Sequence, residues 1–159
     1  MKIGFCGTMS VGKTTIVNEL KDLPEFKDYN FRTERSKYLM EQGIPLNTDS
    51  TLKGQTIFLA ERSGEFLSIS SASLSINKGN FESLAACLVH EYDHIFYISP
   101  NGVKIEDNGV RETDSEYRKR IDQTIQHYLS KYGYRIKNLT YLSGSTGERI
   151  EKIKQTVFS

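Results

Sequence analysis

Apolar and polar positions along the chain follow two periods, which together predict strands alternating with helices. Lys2 to Cys6 is a short apolar run that ends directly on Gly7 and reads as a first strand. From Lys13 to about Leu23, the residues Ile16, Val17 and Leu20 fall at helical spacing, and Pro24 closes the segment. Phe31 to Glu34 fits a short strand leading into a helix over Arg35 to Glu41, stopped by Gly43-Ile44-Pro45. Polar residues from Asn47 to Ser50 offer a cap for a helix from Thr51 to about Phe66, with Leu52, Leu59 and Phe66 on one side. Between Phe66 and Ile76, serines alternate with Leu67, Ile69, Leu74 and Ile76. That pattern suits a strand, although no turn signal bounds it. Phe81, Leu84, Ala85, Leu88 and Val89 then mark an amphipathic helix.

The second half is more sharply punctuated. His94 to Ser99 is a strongly apolar strand stopped by Pro100-Asn101-Gly102. Thr113 and Glu116 match a capping box that opens a helix to about Lys131, with Tyr117, Ile121, Ile125, Tyr128 and Leu129 expected inward. A last strand runs from about Lys137 to Leu142. A second capping box, Ser145 with Glu148, precedes a C-terminal helix carrying Ile150, Ile153 and Val157. The alternation predicts an α/β fold: a three-layer sandwich with a parallel sheet of four to five strands covered on both faces. Ligands of such sheets sit at the carboxyl ends of the strands.

Composition narrows the class without naming a function. The 159 residues suit a single domain, and 37% hydrophobic with 26% charged residues is ordinary for a globular protein. A formal net charge of +1 supplies no global field toward nucleic acid or a membrane surface, so neither is expected as a partner. No apolar stretch reaches the length of a spanning helix. Cys6 and Cys87 lie inside apolar segments and read as buried free thiols, in keeping with a reducing, cytoplasmic setting. His90, His94 and His127 are scattered and pair with no acid or cysteine at metal-ligand spacing, which points to surface or strand-edge roles.

The chemistry is concentrated in Gly7-Thr8-Met9-Ser10-Val11-Gly12-Lys13-Thr14, followed by Thr15, which matches the pattern G-x-x-x-x-G-K-[ST]. The two glycines let the backbone turn sharply and approach a phosphate with no side chain between. Amides from Met9 to Thr14 can converge on anionic oxygens, and the helix that follows adds its positive end. Lys13 brings a point charge to the outer phosphates, and the Thr14 hydroxyl is a ligand for Mg²⁺. A strand before the motif and a helix after it are the context the motif requires.

On this loop and the order of elements, the chain resembles the small P-loop kinases of the nucleoside and nucleoside monophosphate type. The ATPase-like domain of ribosylnicotinamide kinases and of small virus-encoded nucleotide kinases is similar across nearly the whole length. The resemblance implies a P-loop NTPase fold with a five-stranded sheet, ATP and Mg²⁺ as the bound species, and a small-molecule nucleoside or nucleotide acceptor. It implies one domain over residues 1–159 with a small lid around 103–120. Glu34 and Arg35, in Thr33-Glu34-Arg35-Ser36, resemble the segment facing the acceptor, and they also read as a solvated charge pair. Gln55 and Arg62 share a helix face that lines the acceptor pocket in similar kinases, or they are plain surface residues. Asp107-Asn108-Gly109-Val110-Arg111 and the following Arg118 resemble the lid, whose arginines neutralise charge on the transferred phosphoryl group; the bland alternative is a salt-laced surface helix. Ser143-Gly144-Ser145-Thr146 resembles the loop beside the adenine base, although capping alone accounts for Ser145.

The pattern departs from the family at one place. Its third strand normally ends on an aspartate that orders the metal's water shell or activates the acceptor. No Asp or Glu occurs from Phe66 to Phe81. Glu61 and Glu65 lie on the preceding helix, Asp93 precedes the strand at its amino end, and Glu34 is the best-placed carboxylate. Two functions are therefore expected in competition: a kinase transferring the γ-phosphate of ATP, and a nucleotide-binding P-loop protein with weak or no turnover. A GTPase-type switch is disfavoured, because Asn77-Lys78-Gly79-Asn80 lacks the acid of a guanine-specifying Asn-Lys-x-Asp.

Overall fold

The computed structural model describes residues 1–32, 41–44, 91–103 and 114–159. The chain divides into two compact units, residues 1–34 with 92–159, and residues 35–91. The expected helices over 35–41, 51–66 and the one from Phe81 lie wholly or mainly outside the described residues, as does the strand-like segment 66–76.

Three strands form one parallel sheet. β1 (Ile3–Cys6) pairs with β2 (His94–Ile98), and β2 pairs with β3 (Leu139–Leu142), so β2 is central. Ile95 to Ile98 are all buried, which is why this strand reads as a continuous apolar run rather than an alternating one. The register sets Cys6 beside Tyr97 and Tyr97 beside Tyr141. With strands connected by helices, the observed unit is an α/β arrangement.

Helix α1 (Lys13–Lys21) follows β1 and buries Ile16 and Leu20. It ends two residues before the expected Leu23, and a short 3-10 turn (Pro24–Phe26) follows, with Pro24 at its first position. Phe31 and Arg32, expected to begin a strand, belong to no regular element. Helix α2 (Ser115–Tyr132) joins β2 to β3, and helix α3 (Thr146–Val157) ends the unit. The observed β3 starts two residues later than expected, at Leu139.

The core is built from β2, the tip of β3 and the two helices α1 and α3. Val11, Ile16, Leu20, Phe26, Phe96, Ile98, Leu142, Ile150 and Ile153 form one cluster. Each fully buried aliphatic or aromatic side chain there contributes roughly 1.5–3 kcal/mol relative to exposure. Phe26 carries this packing beyond the helices, meeting Tyr29 at a tilt and Phe158 edge-on, at centroid distances of 5.3 and 5.1 Å.

The amino end of the sheet is closed by polar contacts centred on Asp93. Its carboxyl accepts from the Lys2 amide at 2.8 Å and from Lys137 Nζ at 2.8 Å, while its carbonyl accepts from Asn138 Nδ2 at 2.9 Å. These bonds join the starts of all three strands. Among the described residues no helix is long and apolar enough to cross a membrane.

Candidate phosphate-binding site

The loop from Gly7 to Gly12 connects the carboxyl end of β1 to α1 and crosses the carboxyl end of β2. Gly7 has φ +148°, and a Cβ there would lie 2.6 Å from the Ile98 carbonyl oxygen. Both the backbone angle and the close approach exclude a side chain. Further on, Ser10 (φ 57°) and Gly12 (φ 88°) take left-handed conformations, while Met9 before them and Val11 between them do not. Alternation of this kind turns successive amides toward one concavity, the geometry that gathers anions. Ser10 holds a left-handed angle without being glycine, a conformation uncommon enough to mark a constrained loop.

How α1 begins is informative when set beside the other two helices. Asp114 caps α2 by accepting from the Glu116 amide at 2.8 Å. Ser145 and Glu148 cap α3 reciprocally. Helix α1 begins on Gly12 with no side-chain cap and no acidic residue in its first turn. The first amides of any helix lack intrahelical acceptors, and its positive end favours an anion. Among the α-helices of the described residues, α1 alone starts without a side-chain cap, and its first turn contains no acidic residue.

Lys13 Nζ lies back over the loop, donating to the carbonyls of Gly7 at 2.8 Å and Thr8 at 2.7 Å. Thr8 and Val11 are each 1% exposed and anchor the loop in the core. The Thr8 hydroxyl also donates to the Arg118 carbonyl at 3.3 Å, tying the loop to the first turns of α2. Thr14 is half-buried and Thr15 exposed on the first turn of α1. Among the described residues, no three His, Cys, Asp or Glu side chains gather as a metal site.

Arg118, expected on the rim of a lid, is buried at 9% exposure, with its carbonyl bonded to Thr8 of the glycine-rich loop. Its Nη1 donates to the Val103 carbonyl at 2.6 Å, while Nε and Nη2 are buried without a hydrogen-bond partner. Burial depresses its pKa, and nearby Asp122 opposes that shift; a guanidinium stays charged regardless. The helix face is rotated from the one the sequence suggests. Arg118 and Asp122 are the buried positions, Tyr117, Ile121, Ile125 and Leu129 are half-buried, and Tyr128, expected inward, is 40% exposed. The cap is Asp114, one residue after the expected Thr113.

Asp122 explains the rotation. Tyr97 Oη donates to its Oδ1 at 2.8 Å, and Gln126 Nε2 donates both to its Oδ2 at 2.7 Å and to Tyr97 Oη at 3.1 Å. This network binds α2 to the central strand and sets where Arg118 falls. Burial first, and then Asp122, raise the Tyr97 pKa. The adjacent Cys6 is a free thiol pushed up to about 11 by burial, against the opposing charge of Lys13.

The remaining expectations divide cleanly. Glu34, Arg35, Gln55, Arg62, Arg111 and Cys87 lie outside the described residues. Ser145 serves as a helix cap. Asp93 sits at the amino end of the sheet and is engaged by Lys2 and Lys137, away from the loop. His127 is exposed against Tyr128, whereas His94 starts the central strand with its Nδ1 buried and unpartnered.

One residue against the loop carries no sequence motif. Arg149, on the first turn of α3, is 6% exposed and donates from Nη1 to the Val11 carbonyl at 2.8 Å, across 138 residues of sequence. Only the capping box ahead of it, which fixes where α3 starts, hinted at its position. No family model matches the chain, and searches of curated proteins and of solved structures return no match.

Proposed function

We propose that this protein binds a nucleoside triphosphate through Gly7, Thr8, Met9, Ser10, Val11, Gly12, Lys13, Thr14 and Thr15, and that it is a P-loop kinase acting on a nucleoside or nucleotide. The observation that carries the reading is the start of α1: glycine-rich, uncapped, free of acidic residues, and approached by Lys13. Polyphosphate matches that arrangement in charge and in hydrogen bonding. The order β1-β2-β3, with the glycine loop between the first strand and its helix, is compatible with a P-loop NTPase fold of four to five strands. On this reading Thr14 would hold Mg²⁺ together with phosphate oxygens and water. When bound, the ion neutralises charge on the outer phosphates. Arg118, from its buried position beside Thr8, adds a fixed cation near the loop, and Arg111 takes the complementary lid role. The acceptor would meet Glu34, Arg35, Gln55 and Arg62.

A second reading is a nucleotide-binding protein without turnover. It is favoured by the absence of any Asp or Glu from Phe66 to Phe81 and by the engagement of nearby described carboxyls elsewhere. Asp122 is tied to Tyr97, and Glu148 is tied to Ser145. One experiment separates the readings. Purified protein is incubated with ATP, Mg²⁺ and a panel of nucleosides and monophosphates, with Lys13→Ala as control, while affinity is followed by calorimetry. Binding with phosphorylated product supports the kinase; binding without product supports the second reading. Failure of the wild-type chain to bind ATP overturns both.

A further inference from the structure

Arg149 is a buried cation with too few partners. Its Nη1 has one neutral acceptor, the Val11 carbonyl at 2.8 Å, and its Nε is buried with no hydrogen-bond partner. No carboxylate among the described residues forms an ion pair with it. The neighbouring Glu148 is turned back to the Ser145 amide and hydroxyl at 2.8 and 2.7 Å. Taking a guanidinium out of water is costly unless another charge or a full set of acceptors compensates.

Packing of α3 gives no reason for that cost. Ile150 and Ile153 already join the core cluster with Ile16 and Leu20 of α1, and Lys154 bridges to Glu25 at 2.8 Å. What Arg149 does touch is the phosphate loop. Besides holding Val11, its Nη1 lies 3.6 Å from where a Cβ on Gly12 would project. Gly12 is the uncapped start of α1. The guanidinium, the positive end of α1 and Lys13 thus converge on one short loop with no acidic side chain of the described chain among them.

We propose that Arg149 is a positioning residue of the phosphate site, forming its back wall: it holds the loop open through Val11, and polyphosphate bound in the loop supplies its missing counter-charge. This rests on the phosphate-binding reading above. The ligand class it selects is a compact polyanion, recognised at its phosphates rather than at its base or sugar. Inorganic tripolyphosphate should therefore show the full effect of Arg149, and ATP the same effect.

The test measures tripolyphosphate and ATP affinity by calorimetry, together with the rise in Tm each ligand induces, for wild type, Arg149→Lys and Arg149→Met. Loss of a charged hydrogen-bonding group should weaken both ligands about tenfold or more in Arg149→Met and shrink the ligand-induced rise in Tm. Arg149→Lys keeps the charge and should recover most of the affinity. A folded Arg149→Met that binds tripolyphosphate as wild type does overturns the proposal. So does a variant whose free form melts earlier while its ligand-induced rise is intact, since that is the behaviour of a structural strut. Should Arg149→Met not fold, Arg149→Gln takes its place, and equal affinities for the Gln and Lys variants overturn the proposal. If wild type binds neither ligand, the phosphate-binding reading fails and this inference falls with it; if wild type binds and the Met variant binds equally, only the inference falls.

Discussion

Gly7 is held by two constraints at once, its φ of +148° and the Ile98 carbonyl 2.6 Å from where a Cβ would stand. The oxygen belongs to the backbone of the central strand and cannot swing aside as a side-chain tip would. Gly7→Ala should lower unfolding free energy by about 2 kcal/mol or more, read by urea denaturation; an unchanged midpoint would show that the loop has another way across β2. A second residue-scale case is Tyr97, 3% exposed, whose hydroxyl donates to Asp122. Tyr97→Phe leaves that carboxyl with Gln126 alone, at a cost of about 1–3 kcal/mol. Equilibrium unfolding would test this, and a stability equal to wild type would mean that the network is redundant. Gly12 and Lys13 stand out from spacing alone, because the pattern they belong to is contiguous in the chain. Arg149 was not, because its partner Val11 lies 138 residues away.

At the scale of elements, the sheet carries shifted titratable groups at both ends, two at the carboxyl end and one at the amino end. At the carboxyl end Cys6 and Tyr97 are register neighbours on β1 and β2, and burial raises both pKa values. Each is neutral when protonated, so the unfolded chain gives up its proton at lower pH than the folded one. The unfolded state then binds fewer protons, and stability falls as pH rises. For Cys6 the loss spans the interval from 9.0, its ordinary value, to about 11. Cys6→Ala should flatten that part of the stability profile, and an unchanged slope would place the loss elsewhere. At the amino end, Asp93 has its pKa lowered from 3.8 to about 2, chiefly by Lys137 and then by the Lys2 amide. Here the charged form is favoured by folding. Its contribution is present above the ordinary carboxylate value and disappears as pH falls toward about 2. Melts across that acid range should show a shallower decline for Lys137→Ala, and parallel profiles would deny the ion pair a role.

At the scale of the whole unit, the first and last helices close the core together. Ile16 and Leu20 of α1 meet Ile150 and Ile153 of α3, and Arg149 reaches the loop from the same helix. Truncation before Ser145 would strip three supports at once: the apolar face, the Lys154–Glu25 bridge and the hold on Val11. The truncated chain should lose cooperative thermal unfolding, followed by circular dichroism, and should lose tripolyphosphate binding with it. A sharp transition in the truncated chain would show that α1 and the sheet are a sufficient core.

Periodicity and punctuation in the sequence were enough to place the three strands and the helices α1, α2 and α3 of the described residues within about two residues, because those signals are local. Apolar runs mark strands, spacing marks helix faces, and Gly, Pro and capping residues mark the ends. The glycine-rich loop between β1 and α1 was legible for the same reason: its residues are contiguous in the chain. What the tertiary structure alone decided was which polar residues are inside. Arg118 and Asp122 look like the wet side of an amphipathic helix, yet Tyr97 offers Asp122 a buried partner and turns that side inward. Arg149 looks like an ordinary charged position after a cap, yet the packing of α3 on α1 brings it to Val11. Burial of a charge depends on partners brought together by folding, and no window of neighbouring residues contains them.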